Sequence, residues 1–366
     1  MVLTFGVKAA VLVIIGLGFK LFTFQWQNYG ANFYYPAGGP SLTAAFKTWD
    51  AQHYLFLSKY GYSDHLASGV FYPFFPFLIH LSAFLFGGNE LIAGLVLSNA
   101  GSILSILFLF KLIQKKNGDQ TAFTTCILLL AFPTAFYGGL VYTESLFLLF
   151  SVCYFYFWEQ KKYFLVFLCA FFLPLTRPTG ILVMVPALAG LFLDRQYKMT
   201  VPRVRETIPL AGFVLGYLTY FCLMKMLTGN AYYAFEAQKF YHSAFSAELL
   251  FRPIDWLTHH FLKTGLILNG VDNSLVNRIV FVLFVLMMLA ARKQLNPTFL
   301  FFGLAVGLVP ALAGDLPSYI RYISVVFPLF YWGALKLEKH LGLYLLICIP
   351  LQIFLLLLHS LNYWVA

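Results

Sequence analysis

Charged side chains are scarce in this chain: 24 Lys+Arg and 14 Asp+Glu make up only 10% of its 366 residues. A soluble domain is nearer a quarter charged, so the scarcity excludes an ordinary soluble enzyme. Asp-x-Asp, HExxH and the phosphate-cradling GxxxxGK(S/T) are all missing, which argues against a nucleotide-hydrolysing pump. The five cysteines (Cys126, Cys153, Cys169, Cys222, Cys348) lie inside apolar runs with no CxxC pair, giving neither a disulfide framework nor a metal site. No internal repeat or low-complexity linker stands out. The longest stretches between apolar runs, 25–70 and 228–272, leave no room for a large separate globular domain.

What the chain does have is apolar surface. It is 61% hydrophobic and 19% aromatic, with a mean hydropathy of +0.79 spread along its length. Apolar runs lie near 5–24, 71–87, 90–112, 121–136, 144–158, 163–176, 179–193, 207–227, 274–291, 298–313, 318–335 and 341–363. A span needs about 20 such residues, so the expectation is an all-α polytopic membrane protein, one transmembrane domain over 1–366. Runs holding Pro133, Pro174 or Pro310 are expected to break or kink. The first run lacks a small-residue cleavage site and reads as a retained span.

A net charge of +10 would point to nucleic acid in a soluble protein, but here the cations cluster in short loops as orientation signals. Lys111, Lys115 and Lys116 form one cluster, Lys161 and Lys162 another, and Arg195, Lys198, Arg203 and Arg205 a third; Arg292 with Lys293 and Lys336 with Lys339 complete the set. Two apolar runs separate each cluster from the next, so all five can face the cytoplasm. Loops 137–143, 177–178, 228–272 and 314–321 then face outward. With the N-terminus inside, 25–70 also lies outside, and only one crossing fits between 71 and 112. The run 71–87, with Pro73, Pro76 and His80, is read as re-entrant or interfacial. The alternative, two crossings there, inverts every later loop.

The outward stretches hold the unusual polar residues. In Trp49-Asp50-Ala51-Gln52-His53, Asp50 and His53 share a helix face, and a carboxylate beside an imidazole suits a general base for an alcohol. An interfacial Trp with a capping Asp is the plainer reading. Tyr142-Thr143-Glu144-Ser145 opens an apolar run, where Thr143 and Glu144 can act as a cap. Arg177 and Arg321 are isolated cations at outward turns. Each suits bidentate binding of a phosphate, or a structural pair with Glu144, Asp315 or Asp50. The aromatic-rich segment from Gly229 to Gly270 reads as helices lying in the interface. His259-His260 is a weak metal pair, since adjacent helical side chains diverge.

These pieces carry a resemblance. Trp49-Asp50-Ala51-Gln52-His53-Tyr54-Leu55, Lys59-Tyr60-Gly61-Tyr62 and Phe71-Tyr72-Pro73-Phe74-Phe75-Pro76 resemble the first lumenal loop of PIG-V-like mannosyltransferases. That family, which includes GPI mannosyltransferase II, has the GT-C fold and uses a polyprenyl-phosphate sugar. The similarity continues through Phe132-Pro133-Thr134, Tyr142 to Phe147, and Thr176-Arg177-Pro178-Thr179-Gly180, then Phe235-Glu236-Ala237-Gln238 and Arg321-Tyr322 with Pro328. Where the family has a Glu after the Gly-Tyr pair, this chain has Asp64-His65. Being shorter than the eukaryotic members, it looks more like a prokaryotic relative.

The resemblance implies a GT-C-like helical bundle with outward loops and interfacial helices. It implies inverting transfer of a hexose, mannose first, from a polyprenyl phosphate to an acceptor hydroxyl of a lipid, glycan or glycoprotein. The active site would be extracytoplasmic, in the cell membrane of a prokaryote or the endoplasmic reticulum membrane of a eukaryote. Asp50 is the expected catalytic base. Trp49, Gln52, His53, Asp64, Tyr72, Tyr142, Glu144, Arg177, Gln238, Arg321 and Tyr322 are the expected substrate contacts, with no metal or cofactor required. The rival class is a carrier or flippase for a polar lipid. Such proteins usually show inverted repeats and polar residues at the midplane; here repeats are missing and polar residues collect on one face.

Overall fold

The computed structural model describes residues 2–31, 41–62, 66–193, 203–239, 251–262, 273–312, 316 and 318–365. Its helices are α1 (Val2–Leu21), α2 (Trp26–Ala31), α3 (Asp50–Tyr60), α4 (Phe74–Ala83), α5 (Glu90–Leu130), α6 (Glu144–Glu159), α7 (Tyr163–Thr176) and α8 (Met184–Phe192). They continue as α9 (Val204–Thr228), α10 (Tyr233–Gln238), α11 (Pro253–Leu257), α12 (Asn273–Ala291), α13 (Pro297–Leu312), α14 (Tyr319–Ile323), α15 (Phe327–Leu337) and α16 (Leu341–Ser360). No β-strand occurs among the described residues. Four helical stretches are long and apolar enough to cross a membrane: Val2–Leu21, Glu90–Leu130, Val204–Thr228 and Phe327–Ser360. The chain is an all-α integral membrane protein.

Two of these stretches are hairpins. In α5 the backbone leaves helical geometry at Asn117 (φ −139°, ψ 16°) and Gly118 (φ 80°, ψ 177°). Cys126 Sγ then lies 3.7 Å from the Ile106 carbonyl, whereas 20 residues of straight helix would hold them about 30 Å apart. Glycine is the residue that accepts this φ without a Cβ clash. The turn splits α5 into the two apolar runs visible in the sequence. In the same way the chain turns back after α15, and α15 and α16 both meet the end of α5: Gln352 Nε2 donates to the Phe132 carbonyl (2.6 Å) while Phe330 packs edge-on against Phe132 (5.3 Å).

The three prolines expected to break or kink a run lie at helix ends. Pro133 falls beyond α5, while Pro174 and Pro310 sit in the last turns of α7 and α13. α4 has 10 residues, about 15 Å of helix against a hydrocarbon core of about 30 Å. The tightest helix pair is α7 with α9. A Cβ on Gly212 would stand 2.6 Å from the Phe167 carbonyl, and one on Gly216 2.2 Å from that of Phe171. Small residues four apart let the two backbones meet, the usual way helices associate in lipid.

The alternating helix directions give the bundle two ends of different chemistry. Asp50, Glu144 and Arg177 stand at the ends of α3, α6 and α7, and Arg321 on α14, all at one end. Lys116 and Glu159 form an ion pair at the other. There they share a cavity with Lys161, Arg203 and Lys293. Within 228–272, expected to hold interfacial helices, two short helices, α10 and α11, are described. α10 packs against the single-turn helix Leu66–Val70, and α11 buries Trp256, whose Nε1 donates to the Ala311 carbonyl (2.9 Å). Residues 240–250 and 263–272 of that segment lie outside the described residues.

Candidate active site

The centre is a chain of alternating charges. Arg321 Nη1 donates to Asp50 Oδ2 (2.7 Å) and its Nε to Glu144 Oε1 (2.5 Å). Arg177 Nη1 reaches the same Glu144 oxygen at 3.3 Å. Side-chain exposure falls from Asp50 (21%) through Arg177 (11%) and Arg321 (6%) to Glu144 (4%). The formal charges cancel, as a buried group of this kind requires. Asp50 is the open member, and only one of its oxygens is engaged by Arg321. Glu144 Oε2 is buried without a partner, which is costly for a carboxylate unless a ligand supplies a donor.

Aromatic faces enclose the guanidinium groups. That of Arg321 lies 4.6 Å from the Tyr142 ring centroid and 4.9 Å from that of Tyr137. The Arg177 guanidinium is 5.7 Å from Tyr322 and 5.8 Å from Phe147. Such faces attract the cation and exclude water, which strengthens the hydrogen bonds between them.

The backbone is held unusually on both sides of the Asp50–Arg321 bond. Trp49, directly before Asp50, has φ 53°, and Ser318, three residues before Arg321, has φ 65°. Non-glycine residues adopt this region at a cost, so the surroundings must hold them there. At Trp49 the C-terminal end of the chain does so. Trp49 Nε1 donates to the Tyr363 carbonyl (3.1 Å), and its ring meets that of Trp364 edge-on at 4.8 Å. One residue earlier, Thr48 Oγ1 pairs with His359 Nε2 (3.1 Å), and the Thr48 carbonyl accepts from Tyr142 Oη (3.2 Å). His359 Nδ1 is also 3.3 Å from Tyr137 Oη.

Of the residues expected from sequence, Asp50, Tyr142, Glu144, Arg177, Arg321 and Tyr322 therefore come together, with Trp49 behind them. His53 turns away: its Nδ1 pairs with Ser68 Oγ (3.0 Å) and its ring stacks on Phe71 at 4.6 Å. Burial pushes its imidazole pKa down to about 4. Gln52 is fully buried, and neither amide atom has a partner. Tyr72 stacks on Tyr220 (4.3 Å, 9°) in a separate cluster with Leu175 and Met224. Gln238 ends α10, on the far side of the Leu66–Val70 turn, and makes no hydrogen bond to the ionic group. Asp64 lies outside the described residues, as does Asp315.

Thr48, Tyr137 and His359 belong to the site and were not among the expected residues. The available signal was His359, an ionisable residue in the last turn of an apolar helix. Among the described residues no three His, Cys, Asp or Glu side chains converge as metal ligands; around Asp50 and Glu144 it is guanidinium groups that face the carboxylates.

A 580 Å³ groove lies between α3, α4, α7 and α9, at the end of α3 away from Asp50. Leu57, Phe74, Phe77, Phe172 and Leu223 line it, with Lys59 at its edge. Its wall includes Leu175, two residues before Arg177.

The chain aligns over 98% of its length with the crystal structure of the Archaeoglobus fulgidus oligosaccharyltransferase in the apo form, at a TM-score of 0.52 and 12% identity. It is a GT-C-type transmembrane bundle. Residues 71–224 match the family model described as dolichyl-phosphate-mannose-protein mannosyltransferase; the match contains Glu144 and Arg177 and stops short of Asp50 and Arg321. The same oligosaccharyltransferase tethered to an acceptor peptide containing the NVT sequon aligns at a TM-score of 0.44 and 12% identity, over 97% of this chain and 55% of that one. The chain spans only 56% of the length of the apo oligosaccharyltransferase. No curated protein gives a significant sequence match.

Proposed function

We propose that this protein is an inverting membrane glycosyltransferase that moves a hexosyl group, mannosyl first, from a polyprenyl phosphate to an acceptor hydroxyl. The observation that carries the reading is the Asp50 carboxylate, half engaged by Arg321 and open on its other oxygen, at the mouth of a site lined by guanidinium groups. The fold and the family match, limited to residues 71–224, support the same class of chemistry.

In this mechanism the acceptor oxygen attacks the anomeric carbon as the bond from that carbon to the phosphate oxygen breaks. Asp50 takes the hydroxyl proton through its free oxygen, or orients the hydroxyl, a contribution of about 10²–10⁴-fold. The departing phosphodiester becomes a phosphomonoester and gains negative charge. Arg177, held by one long contact to Glu144, is the group freest to meet that charge. Arg321 has two short bonds to carboxylates and is assigned to holding Asp50 in place. The apolar groove, whose wall reaches Leu175, is assigned to the prenyl tail. No metal is needed where guanidinium groups do this work.

The Lys and Arg distribution supports an extracytoplasmic position for this end of the bundle, with the basic end in the cytoplasm. Purified protein in detergent, offered a panel of polyprenyl-phosphate sugars with hydroxyl acceptors, is expected to release polyprenyl phosphate only when an acceptor is present. A carrier or flippase would leave every donor intact.

A further inference from the structure

At the end of the bundle opposite Asp50 lies a cavity of 1030 Å³. Five cations reach it from four places in the sequence: Lys115 and Lys116 at the α5 turn, Lys161 between α6 and α7, Arg203 before α9, and Lys293 between α12 and α13. Two acids share the lining and both are committed. Glu159 pairs with Lys116, and Glu206 Oε2 accepts from the Arg203 backbone N–H (2.9 Å). Among the described residues the lining keeps a net of three positive charges.

Orientation signals alone do not require this. They are read by the number of cations in each loop, and like charges left to themselves spread apart. Here instead the frame holds them together. Tyr331 Oη fixes Asn117 at the α5 turn (2.5 Å), and Trp332 Nε1 ties α15 to Gln294 beside Lys293 (3.0 Å). Lys161, at φ 57°, is the residue that closes α6: its N–H donates to the Trp158 carbonyl and that of Lys162 to the Phe157 carbonyl, which fixes where the chain leaves the helix. Lys161 and Lys293 are exposed and make no ion pair among the described residues. Trp158, Tyr163 and Leu295 also line it; the first two are amphipathic rings of the kind that settle at headgroup depth.

We propose that this cavity is a second binding site, for a phosphate-bearing anion with at least two negative charges, distinct from the donor site near Asp50. Converging ammonium and guanidinium groups with amphipathic walls are what such a group needs. A lipid headgroup of the adjoining leaflet and a soluble phosphate share this chemistry, and the test separates them.

Full-length protein is placed in nanodiscs of phosphatidylcholine with and without diphosphatidylglycerol, and separately titrated with inorganic pyrophosphate in detergent. Binding is read by thermal shift and by native mass spectrometry. The double variant Lys161→Gln/Lys293→Gln removes two exposed cations from the cavity. Lys336→Gln/Lys339→Gln removes two exposed cations from the same face but outside it. Saturable binding weakened about tenfold or more in the first variant, and little changed in the second, supports the site. Occurrence in the nanodisc arm alone assigns a lipid, and in the pyrophosphate arm a soluble anion. Lack of saturable binding in both arms, or equal losses in both variants, overturns the proposal. Because the readout is binding, a failure here leaves the transferase reading untouched, and a failure of turnover at Asp50 leaves this site untouched.

Discussion

Arg321 joins Asp50 to Glu144 with one guanidinium: Nη1 donates to Asp50 at 2.7 Å while Nε donates to Glu144 at 2.5 Å. The first partner lies 271 residues away in the chain and the second 177. A lysine has one ammonium and cannot reproduce this planar fork. Removing the side chain leaves Glu144, whose side chain is only 4% exposed, with only the longer contact to Arg177. Arg321→Ala should therefore lose about 3–5 kcal/mol of stability, read as a lowered melting temperature in detergent. Glu144→Gln added to Arg321→Ala should recover part of it. If Arg321→Ala melts like wild type, the ionic chain does not hold this end of the bundle together.

Arg177 is the contrasting case. Its single bond to Glu144 is long, so replacing it costs the fold less. Arg177→Lys keeps the charge, should stay folded, and should bind a polyprenyl-phosphate sugar more weakly by about 1.5–3 kcal/mol. Unchanged affinity together with a clear loss of thermal stability would make Arg177 a structural residue.

The sequence made the helices and the isolated charges legible, and left their partnerships hidden. Apolar runs located α1, α9 and both arms of α5, because lipid demands a long apolar helix whatever its neighbours. Asp50, Glu144, Arg177 and Arg321 stood out because charge is rare at this depth. That one arginine would take both carboxylates could not be read, since a contact spanning 271 residues leaves no local periodicity. Nor could the bracing of Trp49 by Tyr363 and Trp364. Motif neighbours also part company in three dimensions. Tyr72 follows Phe71 in sequence, yet it stacks on Tyr220 of α9 while Phe71 stacks on His53.

His53 makes stability depend on pH. Its imidazole pKa is pushed down to about 4 by burial, against about 6.5 in the unfolded chain. Between those values the unfolded state binds the proton and the folded state does not, so stability rises with pH through this window. The contribution is fully present above about pH 6.5 and is lost as the pH falls toward about 4; at pH 5 the loss is roughly 2 kcal/mol. Melting of wild type and His53→Gln across this range should show the variant with the flatter profile. Equal slopes would mean that His53 protonates as easily folded as unfolded.

The arrangement of the two ends makes a prediction about topology. A tag at Gly88, near the ionic end, should report outside the cell, and one at Asn117, at the basic turn of α5, inside. A cytoplasmic report at Gly88 with an external one at Asn117 would invert the bundle and move the proposed site to the cytoplasm.

The most direct test of the account is Asp50→Asn, which is close to isosteric and can still accept from Arg321 but cannot take a proton from an acceptor hydroxyl. With donor and acceptor supplied to purified protein, the account predicts donor binding and melting near wild type and a transfer rate lower by about 10²–10⁴-fold. Turnover close to wild type in a folded, donor-binding Asp50→Asn protein would contradict it.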